Sequence, residues 1–313
     1  MSRLPIFARQ LLSNLHKNLT NMSKPKTNST SISATTPIPQ KHHPTKLSQY
    51  SGLERLPAAV KLPSVVNSFN LKVEDGIDGT VPAFLHLPKN YQNQQSTAAI
   101  LLSGAGGGVV GPSGIYISMA DKLASLQNGL PILRMDYRIP ARNKYCVADV
   151  LAAMDHLSAQ YGVSKFVLVG WSFGGAPAFT VGGQDSRVVG CATIASQTAE
   201  TEGIRAVGRR GVPALLLHGT DDRTLSPHCS ERLYDMYGSK GQRKVHYFED
   251  DDHALTRNSV EAEKMLCEFI AGVAGSKMNN TEKEVVSKSL IDDGDRIEMM
   301  KKGGDLRGAE SVK

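Results

Sequence analysis

The stretch GWSFGG, residues 170–175, places one glycine two positions before Ser172 and another two positions after it. A serine hydroxyl is a poor nucleophile at neutral pH, so it needs a base within hydrogen-bond reach and a backbone that pushes it out of the fold. A tight turn from a strand into a helix exposes a serine in this way, and only small residues fit two positions to either side of it. Gly170 and Gly174 meet that requirement. The spacing predicts that Ser172 is a nucleophile, although by itself it also occurs in ordinary turns.

An acid and a base follow downstream, each directly after a predicted buried strand. The segment LLLHGTDDRTLSP contains Asp221 and Asp222, and the segment HYFEDDDHALT contains His253. Taken singly, each of these could be a solvated residue of a turn. Together with Ser172 they follow the order serine, acid, histidine, and each lies at the end of a strand. This pattern predicts a hydrogen-bonded triad in which the histidine accepts the serine proton. The residues alone leave both aspartates open as the acid.

The elements that must position these residues alternate along one domain, residues 54–274. A hairpin of strands at 66–73 and 81–87 comes first, with Asp78-Gly79 as its turn. Short, nearly all-apolar strands follow, separated by segments with helical spacing; they are predicted at 98–104, 131–138, 165–170, 188–195, 212–219 and 244–249. Such strands require a parallel sheet covered on both faces, and the alternation predicts a doubly wound α/β fold. Chemistry in such a sheet collects outside the carboxyl ends of the strands.

The two ends of the chain have a different composition. Seven of the 36 Lys and Arg residues precede Glu54, the first acidic residue, so the positive charge lies in residues 1–53, and the remaining 29 basic residues nearly balance the 30 acidic ones. This argues against nucleic acid as a partner. We expect 1–53 to be a disordered basic extension, which could also be a mitochondrial transit peptide, and 275–313 to be a disordered polar tail. No stretch is apolar enough for a membrane span, so the expected location is cytoplasmic, with mitochondrial as the alternative.

These residues resemble those of the α/β-hydrolase superfamily, nearest to the dienelactone-hydrolase-like serine hydrolases. The resemblance covers residues 66–273 and is carried by GWSFGG at the serine, HGTDD at the acid, DDH at the histidine and DYR after the fourth strand. It implies an α/β-hydrolase fold with a minimal lid, because only about sixteen residues separate two of the later strands. It also implies that Asp222, the fifth residue of the H-G-x-x-D turn, is the acid. Dienelactone hydrolases carry cysteine where this chain has Ser172.

The implied activity is cleavage of a carboxylic ester, thioester or lactone of a small to medium substrate, without a cofactor or metal. The oxyanion would be held by the backbone amide of Phe173, the residue after the nucleophile, and by that of Ala105 in the glycine loop. Trp171 and Ile115 are the predicted residues of the substrate pocket, and for Trp171 packing against a helix is the alternative. The acyl group, the leaving group and the oligomeric state are not determined by the sequence.

The glycine loop supports a rival interpretation. The loop SGAGGGVVGPSGIY contains Gly106-x-Gly108-x-x-Gly111 between a strand and a helix, with Asp136 at the end of the next strand. This pattern is typical of dinucleotide-binding oxidoreductases. However, two strands precede it, Pro112 removes an amide near the phosphate position, and the rival leaves Ser172, Asp222 and His253 unexplained. A non-catalytic binding protein of the same fold is the third alternative.

Overall fold

The structure is a computed structural model of the 313-residue chain, and it describes residues 46–56, 62–93, 96–308 and 310. These residues belong to one compact unit, His42–Lys313. Residues before Lys46, which hold most of the predicted basic extension and the alternative transit peptide, lie outside the described residues.

One mixed sheet forms the centre of this unit. Its strands are β1 Ser64–Lys72, β2 Thr80–Pro88, β3 Thr97–Leu102, β4 Ile132–Met135, β5 Lys165–Trp171, β6 Val188–Ile194, β7 Ala214–Gly219 and β8 Arg243–Phe248. They lie in the order β1-β2-β4-β3-β5-β6-β7-β8. Strand β2 is antiparallel to β1 and β4, whereas all other neighbours are parallel. Each predicted strand has its counterpart here, and the predicted mostly parallel, doubly wound sheet is confirmed.

Helices connect the parallel strands and continue beyond the last one. They are α1 Ile115–Ser125, α2 Asn143–Tyr161, α3 Gly175–Gln184, α4 Ile204–Arg209, α5 His228–Tyr237, α6 Ser259–Val273, α7 Asn280–Ser287 and α8 Asp293–Gly303. Between β6 and β7 the chain forms only the short helix α4, in agreement with the predicted minimal lid.

The sheet separates two hydrophobic clusters, as expected for strands covered on both faces. Successive side chains of β3 alternate between them: Ala99 and Leu101 lie in one cluster, and Ile100 and Leu102 in the other. Helices α1 and α6 pack in the first cluster and α2 to α5 in the second. This two-sided burial explains why the central strands are apolar at almost every position.

The folded body begins before residue 54, which corrects the predicted boundary. Residues Leu47–Tyr50 form a 3₁₀ helix in which Tyr50 is buried. The fully buried Arg134 of β4 holds the following residues, since its guanidinium donates to the Leu53 carbonyl at 2.9 Å and to the Val109 carbonyl at 2.7 Å. A buried guanidinium needs hydrogen bonds on its donors, and carbonyls of this segment and of the glycine loop supply them. The contact was not recognisable from the composition of residues 1–53.

The C-terminal segment is also folded in the described residues, contrary to the predicted disordered tail. Helix α7 begins with a capping box formed by Asn279 and Glu282, and Val286 and Met300 are fully buried in the first cluster. The buried Lys122 ammonium of α1 donates to the Lys288 carbonyl at 2.6 Å. The prediction was wrong because it counted the many polar residues of this segment, whereas a few apolar side chains at the right spacing are enough to dock it on an existing core.

Candidate active site

The three predicted catalytic residues lie at the carboxyl ends of strands on one side of the sheet. Ser172 directly follows β5, Asp222 follows β7, and His253 follows β8. Strands β5 to β8 are consecutive and parallel in the sheet, so their ends meet at one edge. The structure joins Asp222 and His253, which are 31 positions apart in sequence, by a hydrogen bond, and it places Ser172 at the same edge of the sheet.

The turn around Ser172 has the strain that the spacing predicted. Ser172 has a φ of 52°, in the left-handed region that costs a non-glycine residue free energy. A Cβ atom on Gly170 would lie 2.3 Å from the Gly174 carbonyl oxygen, and one on Gly174 would lie 2.6 Å from the Leu102 and Ser103 carbonyl oxygens. Both glycines are therefore required by close backbone approach. The hydroxyl-bearing residue is held between the start of α3 and the end of β3.

The imidazole of His253 is bonded on both sides by carboxylates. Its Nδ1 lies 2.7 Å from Asp222 Oδ2, and its Nε2 lies 3.0 Å from Oε2 of Glu310, a residue near the C-terminus. Because an ionised carboxylate only accepts hydrogen bonds, this arrangement fits an imidazolium, in which both ring nitrogens donate. Burial lowers the pKa of His253, but the two carboxylates outweigh it and raise the pKa to about 9.

Asp222 is fixed by several donors. His218 Nε2 lies 3.1 Å from its Oδ2, and the Thr224 and Leu225 amides donate to its Oδ1 at 2.8 and 2.9 Å. Burial would raise the pKa of Asp222, but the bonds from His218 and His253 outweigh it and hold the pKa well below its usual value. The carboxylate thus stays ionised beside the imidazole. Its neighbour Asp221 points elsewhere and pairs with Arg223 at 3.4 Å.

The two aspartates before His253 build its loop. Asp251 accepts from the Arg257 and Asn258 amides at 3.1 and 2.9 Å, and Asp252 accepts from the Ala254 amide at 3.0 Å. The Asp251 and Asp252 carboxylates are thus turned toward backbone amides of the loop, and the hydrogen bonds to the imidazole come from Asp222 and Glu310.

The two residues predicted to line the substrate pocket are buried in this structure. The indole N–H of Trp171 donates to the His253 carbonyl at 2.9 Å, and its ring centroid lies 5.5 Å from that of the imidazole. The contact supports the histidine loop, so Trp171 has a positioning role that spacing did not reveal. Ile115, at the start of α1, packs in the first hydrophobic cluster. Contact of either side chain with a substrate stays a prediction.

Ala105 in the glycine loop binds an oxygen of the chain itself. Its backbone N–H donates to Glu310 Oε1. Further along the loop, the Val110 and Gly111 amides donate to the fully buried Asp305 carboxylate at 3.1 and 2.8 Å. The rival interpretation put a pyrophosphate on amides of this loop. In the structure, a carboxylate of the same chain occupies them.

Glu310 and Asp305 are the site residues that sequence reasoning missed. Both lie in the segment expected to be disordered, and no motif surrounds either one. The one signal was indirect: the loop at residues 104–108 contains more glycines than an oxyanion site requires. Several of these glycines face the C-terminal residues at distances that leave no room for a Cβ atom.

The comparisons with known proteins agree with this architecture. A family model described as the α/β hydrolase fold matches residues 100–208, which include the glycine loop and the Ser172 turn. The chain has the α/β-hydrolase fold. The predicted resemblance to dienelactone hydrolases is thereby confirmed for the fold. Among curated proteins, none matches this sequence.

Three solved structures illustrate the similarity. Est1E from Butyrivibrio proteoclasticus has a TM-score of 0.53 at 16% identity, covering 67% of this chain and 99% of its own. A dienelactone hydrolase from Anabaena variabilis has a TM-score of 0.52 at 16% identity, covering 68% and 94%. An α/β serine hydrolase without lid from Xanthomonas campestris has a TM-score of 0.51 at 15% identity, covering 69% and 95%. At these identities the likeness concerns the fold alone.

Within residues 46–56, 62–93, 96–308 and 310, no group of three His, Cys, Asp or Glu side chains is arranged to hold a metal ion. In the same part of the chain, no helix is both long and apolar enough to cross a membrane.

Proposed function

We propose that this protein is a serine hydrolase that cleaves a carboxylic ester, thioester or lactone through an acyl-enzyme on Ser172. The observation that carries the proposal is the 2.7 Å bond between His253 Nδ1 and Asp222 beside the strained turn of Ser172. A strained serine, an imidazole and a buried carboxylate at one edge of a sheet are the parts that this chemistry needs. The dinucleotide alternative has no comparable support, because the loop amides that it needs hold Asp305.

In the acylation step, Ser172 Oγ attacks the acyl carbon while His253 Nε2 accepts the hydroxyl proton. The carbonyl π electrons move onto oxygen, and the resulting oxyanion is held by the Ala105 and Phe173 amides. The bond to the leaving group then breaks, and the imidazolium returns the proton to the departing alcohol, thiol or lactone oxygen. Asp222 stays ionised throughout and stabilises the cationic ring. Water repeats the sequence with the acyl-enzyme and releases a carboxylic acid.

The position of the Glu310 carboxylate supports the assignment of the oxyanion site. One of its oxygens accepts from the Ala105 amide and the other accepts from His253 Nε2. An acyl oxygen and an attacking or leaving oxygen would need these same two donors. The amide of Phe173 is the second expected donor, because the first N–H groups of a helix have no partner within it.

The size of the substrate follows from the short connection between β6 and β7. In that stretch the described chain forms only α4, Ile204–Arg209. A site without a large lid suits small to medium acyl and leaving groups. One structurally similar protein is itself described as an α/β serine hydrolase without lid.

The decisive experiment is labelling with a fluorophosphonate, which modifies only an activated serine. We expect the native chain to gain one phosphonyl adduct, located by mass spectrometry on the peptide that contains Ser172, and heat-unfolded chain to gain none. A panel of acyl esters then identifies the acyl group. Labelling at another serine, or binding of a nicotinamide cofactor without labelling, would overturn the proposal.

The activity of the native chain should depend on pH through His253. Only the neutral imidazole can accept the Ser172 proton, and the pKa of His253 is raised to about 9. The rate is therefore lost as pH falls through that value, with kcat/KM decreasing about tenfold per pH unit below it. The measurement is kcat/KM for a short-chain ester against pH. A flat profile between about pH 5 and about pH 8 would contradict a histidine base.

A further inference from the structure

Glu310 uses both of its carboxylate oxygens on atoms that the proposed reaction requires. His253 Nε2 must be free to accept the Ser172 proton, and here it donates to Glu310 Oε2 at 3.0 Å. The Ala105 amide must be free to hold the oxyanion, and here it donates to Glu310 Oε1. Within the described residues, no hydrogen bond joins the Ser172 hydroxyl to the imidazole. Glu310 is itself only 7% exposed, so the site is closed to solvent at this point.

The residues before Glu310 are anchored along the glycine loop. We call Gly304–Gly308 together with Glu310 the C-terminal strap. Asp305 is fully buried and accepts from the Ser103 hydroxyl at 2.6 Å as well as from amides of the loop. Arg307 pairs with Asp136 at 3.0 Å and donates to the Tyr50 hydroxyl at 2.8 Å. These bonds fix where Glu310 enters the site.

The glycine loop is shaped to this strap. A Cβ atom on Gly104 would lie 2.2 Å from Glu310 Oε1, one on Gly106 would lie 2.0 Å from the Arg307 carbonyl oxygen, and one on Gly108 would lie 2.4 Å from Asp305 Cγ. Three glycines at alternate positions therefore leave the space that the strap fills. The strap follows the loop closely along its whole described length.

We propose that the C-terminal strap is a tethered inhibitor, in which the Glu310 side chain occupies the site as a carboxylic acid product would. The inference rests on the proposed hydrolase function. A carboxylate between the oxyanion donor and the protonated histidine has the arrangement of the acid released by deacylation. Since Asp305 and Arg307 anchor the strap independently of Glu310, withdrawal of the Glu310 end alone would open the site.

The test compares Glu310→Gln and Glu310→Ala with the native full-length chain. Glu310→Gln keeps the shape of the side chain and removes its charge, whereas Glu310→Ala removes both. Glu298→Gln is the matched control, because Glu298 lies on the exposed side of α8 and pairs with Lys301 at 3.6 Å.

The measurement is the second-order rate constant for fluorophosphonate labelling at Ser172. Loss of the charge-assisted hydrogen bond should raise this rate constant about tenfold or more. Glu310→Ala should be labelled at least as fast as Glu310→Gln, and the control should be labelled at the native rate. Equal rates for the Glu310 variants and the native chain would overturn the inference.

A second readout needs no catalysis. Trp171 is the single tryptophan of the chain, and its ring lies 5.5 Å from the imidazole of His253. An imidazolium quenches indole fluorescence more strongly than a neutral imidazole does, so the emission of Trp171 reports the protonation of His253. Its titration midpoint should lie near the raised pKa of about 9 in the native chain. In Glu310→Gln it should move down by about one pH unit.

The two readouts separate the two proposals. Labelling that depends on Ser172 but is indifferent to residue 310, with an unmoved Trp171 midpoint, would leave the hydrolase standing and overturn the tethered inhibitor. No labelling of any variant would overturn the hydrolase and with it the inhibition. The Trp171 titration would then still decide whether Glu310 binds the imidazole in solution.

Discussion

Ser172→Ala is expected to reduce kcat for a short-chain ester by about 10⁵-fold or more, to the level left by substrate binding and the oxyanion donors alone. The alanine keeps the φ of 52° and its strain, so the turn and the fold should remain. Only the hydroxyl that forms the acyl-enzyme is lost. The measurement is kcat, calculated from the total protein concentration. The unfolding temperatures of the native chain and the variant are compared as well. A variant that keeps more than about a hundredth of the activity would show that another group is the nucleophile.

The same substitution should be made in the Glu310→Gln background. If the strap limits the activity of the native chain, Glu310→Gln has a higher rate than the native chain. The fold-decrease in rate on removing the Ser172 hydroxyl is then larger in that background. Equal parent rates in the two backgrounds would leave the Ser172 result intact while counting against the strap. The conclusion about Ser172 thus does not depend on the strap.

Asp222→Asn is expected to lower kcat by about 10⁴-fold with a much smaller change in KM. The introduced carboxamide has no negative charge to stabilise the imidazolium, and its N–H group can stabilise the wrong tautomer of His253. The carboxamide would also face His218 Nε2, which now bonds the carboxylate at 3.1 Å. The pKa of His253 should fall as well, because the Asp222 carboxylate is one of the two groups that raise it.

Asp221→Asn is the matched control, because it makes the same chemical change one residue away. The Asp221 side chain is about half exposed and pairs with Arg223, so its charge is screened by solvent and contributes little. We expect kcat of this variant to stay within about twofold of the parent. A large loss in Asp221→Asn with activity retained in Asp222→Asn would exchange the two assignments.

Much of this architecture was predictable from local patterns. All-apolar strands separated by helical segments predicted the parallel sheet, because burial on both faces leaves no place for polar residues on the central strands. The spacing of Gly170 and Gly174 around Ser172 predicted the strained turn, because the close backbone approach there excludes any Cβ atom. Apart from the approach of Gly174 to the Leu102 and Ser103 carbonyls, these features depend on residues that are near one another in sequence.

Other features depended on contacts between distant segments. Asp222 and Asp221 have the same side chain at adjacent positions, and their different surroundings come from the loops that fold over them. The burial of Tyr50 and the hydrogen bond from Arg134 to the Leu53 carbonyl could not be predicted, because the composition of the N-terminal segment indicated disorder. Trp171 supports the His253 carbonyl across 82 positions of sequence.

The sequence by itself determined the order of strands and helices, the turn that presents Ser172, and the short list of residues able to act as acid and base. Only the tertiary structure decided that residues 280–308 fold back, and that Glu310 contacts the histidine and the oxyanion donor. The physical reason is that a carboxylate in a polar segment has no local partner to indicate its place. Its position is set by the free amide of Ala105 and the imidazolium of His253, which the fold brings to it from 205 and 57 residues away.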